Sequence, residues 1–339
     1  MPHHAEILAS LRTVIDPDLK KDLVTLNMVH DLTVSADGAV SLRLVLTTPA
    51  CPFRGALEDE IKEKLRALKG VTTVSITTDA NVPQLPAIFQ RKAVPGVRNI
   101  IAIVSGKGGV GKSTVSVNVA SALAHTGARV GLLDADIYGP SIPTMMGIDT
   151  APEIDPEQEI IPITQHGLKI VSFGFIAKKD TAVIWRGPLA SKALRQLLQQ
   201  TQWGELDYLI VDMPPGTGDI HLTLLQAAPV SGGVIVTTPQ TVALSDAARA
   251  LAMFKTLASP VLGVVENMSG PIFGEGGGKD FAHMNQTEFL GTIPLESIVR
   301  QSGDAGMPLP LYAPSHAVTE VFAMIAQRLA QEISKKALT

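Results

Sequence analysis

The stretch NIIAIVSGKGGVGKST, Asn99 to Thr114, decides the fold. An apolar, β-branched run leads into a glycine cluster and then into helix-forming residues, the strand–loop–helix order that gives the pattern G-x-x-x-x-G-K-[ST] its physical meaning. GKGGVGKS, Gly106 to Ser113, satisfies that pattern completely. Its glycines let the backbone curl until successive N–H groups point inward at phosphate oxygens, and a helix beginning near Lys112 adds the positive end of its dipole. Lys112 is expected to contact β and γ phosphates, and Ser113 to ligate Mg²⁺. Lys107, directly after the first glycine, is not demanded by the minimal pattern and needs a separate explanation.

Outward from this loop, RVGLLDA, LKIVSFG, DYLIVDMP, GGVIVTTP and PVLGVVEN alternate with helical stretches. Each run is apolar at successive positions, as expected of strands covered on both faces, so the fold class is α/β: a doubly wound, mostly parallel sheet of the P-loop NTPase kind. Ligands in such sheets bind outside the carboxyl ends of the strands. DYLIVDMPPGTGD places Asp212 at such an end, the position of a Walker B aspartate that holds Mg²⁺ directly or through water; Gly216 and Gly218 free the following loop to move toward a γ-phosphate. In GLLDADIYGP, Asp134 and Asp136 follow another buried strand and are candidates to hold Mg²⁺ or orient water.

Residues 1–78 read differently. AEILASLRTVI is amphipathic, VSLRLVLTT alternates like a strand, GALEDEIKEKLRAL is helical and VTTVSITT is β-branched, which together describe a small α+β domain. Residues 79–98, with three prolines, a glycine and no sustained period, suit an extended linker, which leaves 99–339 for the domain that carries the phosphate loop.

Bulk properties set bounds. A chain of 339 residues with 28 basic and 32 acidic side chains and a net charge of -4 lacks the strongly basic face of a nucleic-acid binder, and no nucleic-acid partner is expected. No apolar run reaches membrane-spanning length, and MPHHAEILAS lacks the basic and apolar regions of a secretory signal; no membrane partner and a cytoplasmic location are expected. The single cysteine, Cys51, excludes an internal disulfide and any closed metal site made from this chain's thiolates alone.

GKGGVGKST with its early lysine, DADIYGPS, VDMPPGTGD and ENMS together resemble the Mrp/ApbC group of ATPases, relatives of MinD, ParA and the nitrogenase iron protein. The resemblance runs through the whole second domain and implies that ATP and Mg²⁺ are bound and ATP is hydrolysed. It assigns nucleotide contacts to Gly106, Lys107, Gly108, Gly109, Val110, Gly111, Lys112, Ser113 and Thr114, and adenine contact to Asn267. Lys107 would be the signature lysine that crosses a homodimer interface to the partner's nucleotide, meeting charge that develops on the phosphoryl group. Asp136 would orient the attacking water, and Asp212 would act in Walker B. WRGPLASKALRQLL also resembles this group, with no physical role evident for Trp185 or Arg186.

In the first domain, DPDLKKDLVTLNMV and TTPACP resemble the small domain fused ahead of many Mrp proteins and found alone in SufT and PaaD proteins, which implies iron–sulfur chemistry with apoproteins or assembly factors as partners. Cys51, between Pro49 and Pro52 and ahead of a helix, is expected near a helix N-terminus, where its pKa would fall and the thiolate needed by iron or persulfide would form; the alternative is an inert buried thiol.

The chain departs from the group at one place. Mrp-type proteins usually carry a C-x-x-C pair soon after ENMS, but VVENMSGPIFGEGGGKDFAHM passes from Ser269 straight to Gly270 and Pro271. A homodimer then supplies two thiolates, where iron–sulfur clusters normally take four. Three functions stay open: a cluster carrier, a spatial organiser resembling MinD or ParA, and a regulatory or scaffold ATPase that holds no cluster. His283 reads as a helix-face residue, and His3 and His4 are assigned no site. Val318, Val321, Phe322, Ile325, Leu329 and Ile333 recur at helical spacing, as in a last helix packing on a core.

Overall fold

The computed structural model describes residues 3–84, 92–175 and 187–338. Two compact units emerge: residues 1–83 together with 330–339, and residues 84–329.

The smaller unit contains α1 (His4–Leu11), β1 (Val29–Val34), β2 (Ala39–Leu46), α2 (Arg54–Arg66) and β3 (Thr73–Ala80). β1 is antiparallel and β3 parallel to β2. Alternation in β2 buries Val40, Leu42, Leu44 and Leu46, and the four-residue spacing of Leu57, Ile61 and Leu65 turns one face of α2 onto them. α1 ends at Leu11, short of the predicted stretch, because Ile15 leaves the helix to bridge Asp22. The chain's last residues belong here because Gln331 Nε2 donates to Asp18 Oδ2 at 2.9 Å and Ile333 is fully buried.

The larger unit begins with β4 (Val97–Val104), α3 (Lys112–His125), β5 (Val130–Asp134) and α4 (Ile142–Met145). Short strands β6 (Glu153–Ile154), β7 (Ile160–Ile161) and β8 (Ile163–Gln165) precede β9 (Leu168–Ser172) and α5 (Gly187–Gln199). Then come β10 (Leu206–Asp212), α6 (Asp219–Ala227), β11 (Val230–Thr237), α7 (Thr241–Thr256), β12 (Val261–Ser269) and α8 (Gly277–Met284). The chain closes with β13 (Phe289–Pro294), α9 (Ser297–Asp304), α10 (Leu309–Tyr312) and α11 (Ala317–Leu338).

Eight strands form one sheet in the order β13-β12-β11-β4-β10-β5-β9-β8, parallel except for the edge strand β8. β10 and β11 are buried at every residue, as successive apolar positions require of strands covered on both faces. β10 and β11 flank β4 on opposite sides, so the loop after β4 opens where the strand order reverses, and the in-register pairs Asp212–Asp134 and Asp212–Ile103 bring the carboxyl ends of three strands level beneath it. Val318, Phe322, Ile325, Leu329 and Ile333 of α11 are buried, and no described helix is long and apolar enough to cross a membrane.

Candidate nucleotide site

The loop after β4 is shaped by two glycines that no other residue could replace without moving a neighbour. Gly111, at φ 81°, caps α3 in the left-handed region, and a Cβ there would lie 2.2 Å from Asn267 Nδ2. A Cβ on Gly106 would sit 2.1 Å from the backbone of Asp246 in α7. The loop is therefore pressed between β12 and α7, and α3 opens at Lys112 with its first N–H groups free to face an anion.

Lys112 is almost wholly buried, with Nζ 2.8 Å from Asp212 Oδ1 and 3.6 Å from Asp136 Oδ2. Ser113 Oγ donates to Asp212 Oδ2 at 2.7 Å, and Ser116 Oγ lies 2.7 Å from Oδ1. One lysine, two carboxylates and two hydroxyls from three elements thus converge at the end of β10. Removing one partner of such a buried pair typically costs about 3–5 kcal/mol, because the other charge is left uncompensated. The oxygens of Ser113 and Asp212 are a donor set that fits a hard divalent cation such as Mg²⁺.

Asp134 has another use. Its Oδ1 accepts from the Asp136 N–H at 3.1 Å, and its Oδ2 from Ser172 Oγ at 2.9 Å and the Ile142 N–H at 3.2 Å. Complete burial, and then the neighbouring charge of Asp212, raise its pKa to about 8. The group holds the loop from β5 to α4, and with it Asp136, whose Oδ1 accepts from Gly139 N–H at 3.2 Å. Lys107 is half-buried one residue past Gly106; Ser105 Oγ donates to its carbonyl at 2.9 Å, and its side chain has no acidic partner among the described residues.

Beside the phosphate loop lies a cavity of about 530 Å³, walled by Thr114, Ser141, Met145, Asn267, Pro294 and Leu295 among others. Thr114, Ser141 and Met145 also line the smaller hollow over the loop itself, so the two spaces are contiguous. Mostly apolar walls with a few placed polar groups suit a planar heterocycle. Asn267 stands in this wall, but its Nδ2 donates to Val110 O at 2.9 Å, tying β12 to the loop. Pro294 and Leu295 were not singled out in the sequence, since β13 is a short edge strand interrupted by Gly291; the apolar run FLGTIP was the available signal. Ser116 was also missed, although it lies one helical turn beyond Lys112.

His221, in the first turn of α6, is buried with neither ring nitrogen hydrogen-bonded, and burial lowers its pKa to about 4. Trp185 and Arg186 lie outside the described residues. His283 is exposed on α8, and His3 caps α1 from an exposed position.

The cysteine departs from expectation. Cys51 lies in the loop between β2 and α2, three residues ahead of Arg54, and is half-buried. Burial pushes its thiol above the ordinary range; the Phe53 and Arg54 N–H groups pull the other way, and the carboxylates of Asp16 and Asp18 add to the rise. The expected helix-terminus depression is thus outweighed by desolvation. Among the described residues no group of three or more His, Cys, Asp or Glu side chains is placed to hold a metal ion. Where a C-x-x-C pair would fall after β12, Gly270 and Gly274 exchange two backbone hydrogen bonds of 2.9 and 2.8 Å. Buried Glu266 accepts from the Gly276 and Gly278 N–H groups at 3.0 and 2.6 Å, closing the segment as a tight turn.

A strand-to-helix phosphate loop, a buried lysine on a strand-end aspartate and an adjoining base-sized cavity define a P-loop nucleotide-binding protein. The model of the NUBPL iron-transfer P-loop NTPases matches residues 96–330, and that of an iron–sulfur cluster assembly protein matches residues 4–76. The chain is 49% identical to an iron–sulfur cluster carrier protein of Synechocystis over 98% of each chain. It is 42% identical to the iron–sulfur cluster carrier protein of Escherichia coli K12, over 97% of this chain and 92% of the relative. The chain belongs to this Mrp/ApbC family of iron-transfer P-loop NTPases. Among solved structures, a nucleotide-binding protein from Archaeoglobus fulgidus in complex with ADP is 35% identical, with a TM-score of 0.58 over 68% of this chain and 93% of its own. MinD of Pyrococcus horikoshii, complexed with Mg-ADP, shares the fold at 22% identity and a TM-score of 0.53, over 67% of this chain and 94% of its own.

Proposed function

We propose that this protein is an Mg²⁺-dependent ATPase that works as a homodimer and carries iron–sulfur clusters to apoproteins. The observation that carries the nucleotide half is the convergence of Lys112, Ser113, Asp136 and Asp212 under the phosphate loop. In this reading the loop N–H groups from Gly108 to Ser113 bind the phosphates, and Lys112 leaves its carboxylates to follow the β and γ oxygens. Mg²⁺, held by Ser113 with Asp212 directly or through water, would neutralise phosphate charge. Asp136 orients a water whose oxygen attacks the γ phosphorus as the bond to the bridging oxygen of ADP breaks, giving ADP and phosphate. Asp134 keeps the Asp136 loop in place. The base occupies the cavity beside Asn267 and Pro294.

Lys107 reaches the partner's nucleotide in this account. Tyr138, Val242 and Ile272 support a dimer on that side: they follow the carboxyl ends of β5, β11 and β12, the edge that bears the phosphate loop, and are 71%, 69% and 76% exposed. A cytoplasmic, reducing setting agrees with the lone free thiol.

The carrier half rests on near-full-length similarity to proteins of that name. The cluster is cargo, and Cys51 is the thiolate this chain would offer it, with remaining ligands supplied by a partner or exogenous thiols. A second reading, an assembly ATPase that holds no cluster, is favoured by the tight glycine turn in place of a cysteine pair and by the raised thiol pKa. The test is anaerobic transfer from the reconstituted protein to an apo-[4Fe–4S] dehydratase, with and without Mg·ATP. Activation of the dehydratase at a rate that depends on nucleotide supports carriage. Activation only when a separate scaffold protein provides the cluster supports the second reading.

A further inference from the structure

His221, on the first turn of α6, is 1% exposed, and neither ring nitrogen has a hydrogen-bond partner among the described residues. Burial foremost, with the charge of Lys112 adding to it, holds its pKa at about 4, so at pH 7 the imidazole is neutral and carries one N–H donor and one bare acceptor. Leaving such a group unmet is costly, and a rearrangement of its neighbours can remove the cost. The candidates are carbonyls of the loop from Asp212 to α6: those of Gly218 and Pro214 both favour the protonated ring without completing a hydrogen bond to it. Gly218 O already accepts from the His221 and Leu222 N–H groups at 3.0 and 3.4 Å. Buried Pro214 is different, since no donor among the described residues reaches its carbonyl. A free imidazole donor thus sits beside a free carbonyl.

The two groups stand on parts of the molecule that are held to different degrees. α6 is fixed: Ile220, Leu224 and Leu225 are buried, and Thr223 Oγ1 donates to Ser191 Oγ of α5 at 2.7 Å. The loop that carries Pro214 rests instead on the phosphate loop. Gly216 N–H donates to Ser105 O at 2.9 Å, and Pro215 Cγ lies 3.9 Å from where a Cβ on Gly108 would stand. Gly216, at φ 91° with nothing within 4 Å of its own Cβ position, leaves the loop room to turn. Pro215 also borders the hollow over the phosphate loop. Phosphates held there would press on Pro215, and the adjoining Pro214 carbonyl would move relative to a ring that stays put.

We propose that His221 is a positioning residue for ATP hydrolysis: with nucleotide bound, its ring N–H donates to the Pro214 carbonyl and holds the loop after Asp212 in the arrangement that the reaction uses. This role rests on the ATPase reading above and adds to it a residue that touches neither nucleotide nor Mg²⁺. Pro214 lies two residues past Asp212, so a fixed Pro214 carbonyl restrains the end of β10 when the Asp212 carboxylate must serve the metal.

The test uses the full chain with His221→Leu and His221→Gln, and reads Mg·ATP turnover, thermal denaturation and the imidazole nitrogen spectrum of histidine-labelled protein. His221→Leu should lower kcat about tenfold with KM for ATP within about twofold of native, the pattern of an interaction that acts after binding. His221→Gln, which keeps an N–H donor, should retain turnover to within about threefold. At pH 7 His221→Leu should unfold at no lower temperature than the native chain, because it buries no unmet polar atom. A merely structural histidine would give the opposite pairing, lost stability with turnover kept. In the native chain the ring N–H signal, identified by its absence from His221→Gln, should move downfield and exchange more slowly when a non-hydrolysable ATP analogue with Mg²⁺ replaces Mg·ADP. Native turnover in His221→Leu, equal losses in the two variants, or a ring signal that the analogue leaves unchanged overturns the proposal while the ATPase reading stands. Should His221→Leu fail to fold, the ring signal of the native chain decides. A native chain that binds Mg·ATP and releases no phosphate overturns the ATPase reading as well.

Discussion

The phosphate loop and the Cys51 loop both follow a strand and precede a helix, yet they differ in how much chemistry their surroundings supply. Around Lys112 Nζ, the carboxylates of Asp212 at the end of β10 and Asp136 just past β5, and the Ser113 hydroxyl of α3, fall within hydrogen-bonding or ion-pair distance, so the ammonium is held in place by its neighbours. Around Cys51, burial and two nearby carboxylates disfavour the thiolate. The nucleotide machinery is nearly complete within one chain, and the machinery for cargo is not. On the proposed function, a protein built this way would hydrolyse ATP largely with its own residues and would depend on other molecules to complete the ligands of its cargo.

The comparison is broken most severely at Lys112. Lys112→Ala should lower phosphate release about 10³-fold, the scale on which transition-state charge stabilisation acts, and leave Asp212 buried without its cation. A loss smaller than tenfold would mean that the convergence around Asp212 is structural only. His221 probes the same side through pH. Its folded pKa, about 4, lies below the ordinary value of 6.5, so the unfolded chain takes up a proton that the native chain refuses between these values. Stability should therefore fall as pH drops from 6.5 to 4, by about 3 kcal/mol in all, and His221→Leu should flatten that part of the denaturation profile. An unchanged pH dependence in the variant would place the titrating group elsewhere.

Lys107 sharpens the contrast, because it alone of the phosphate-loop lysines lacks an acidic partner among the described residues. Lys107→Ala should reduce turnover about thirtyfold while ATP affinity changes little. Mixed dimers with Lys112→Ala should then show whether one chain's Lys107 serves the other chain's nucleotide; equal turnover in native and Lys107→Ala proteins contradicts that role. The smallest effect is at the thiol. Cys51 should alkylate with iodoacetamide a few-fold more slowly than a free cysteine peptide at pH 7.5, and native and Lys112→Ala proteins should react alike. Faster alkylation than the peptide would restore the activated thiolate.

Legibility in the sequence followed the same division. The parallel sheet, the phosphate loop and the convergence of Lys112, Ser113 and Asp212 could be read because motif residues lie at strand ends, where local pattern and tertiary position coincide. β1 and β13 were not legible: VHDLTV contains three polar residues and places Asp31 at φ 50°, and FLGTIP is short and holds a glycine. The base cavity depends on β13 and α9 arriving beside β12, a matter of topology that no single stretch encodes. Cys51 shows the opposite failure. Its position before a helix was read correctly, but the balance between helix N–H groups and burial depends on packing by residues far away in the chain.

The most direct test of the account is anaerobic reconstitution with iron and sulfide, with both quantified per protein dimer and the visible absorption compared for the native chain and Cys51→Ala. With added low-molecular-weight thiol, the native protein is expected to retain a cluster and Cys51→Ala to retain none, while both bind ATP equally. Equal cluster content in the two proteins would contradict the claim that Cys51 is this chain's thiolate for the cargo.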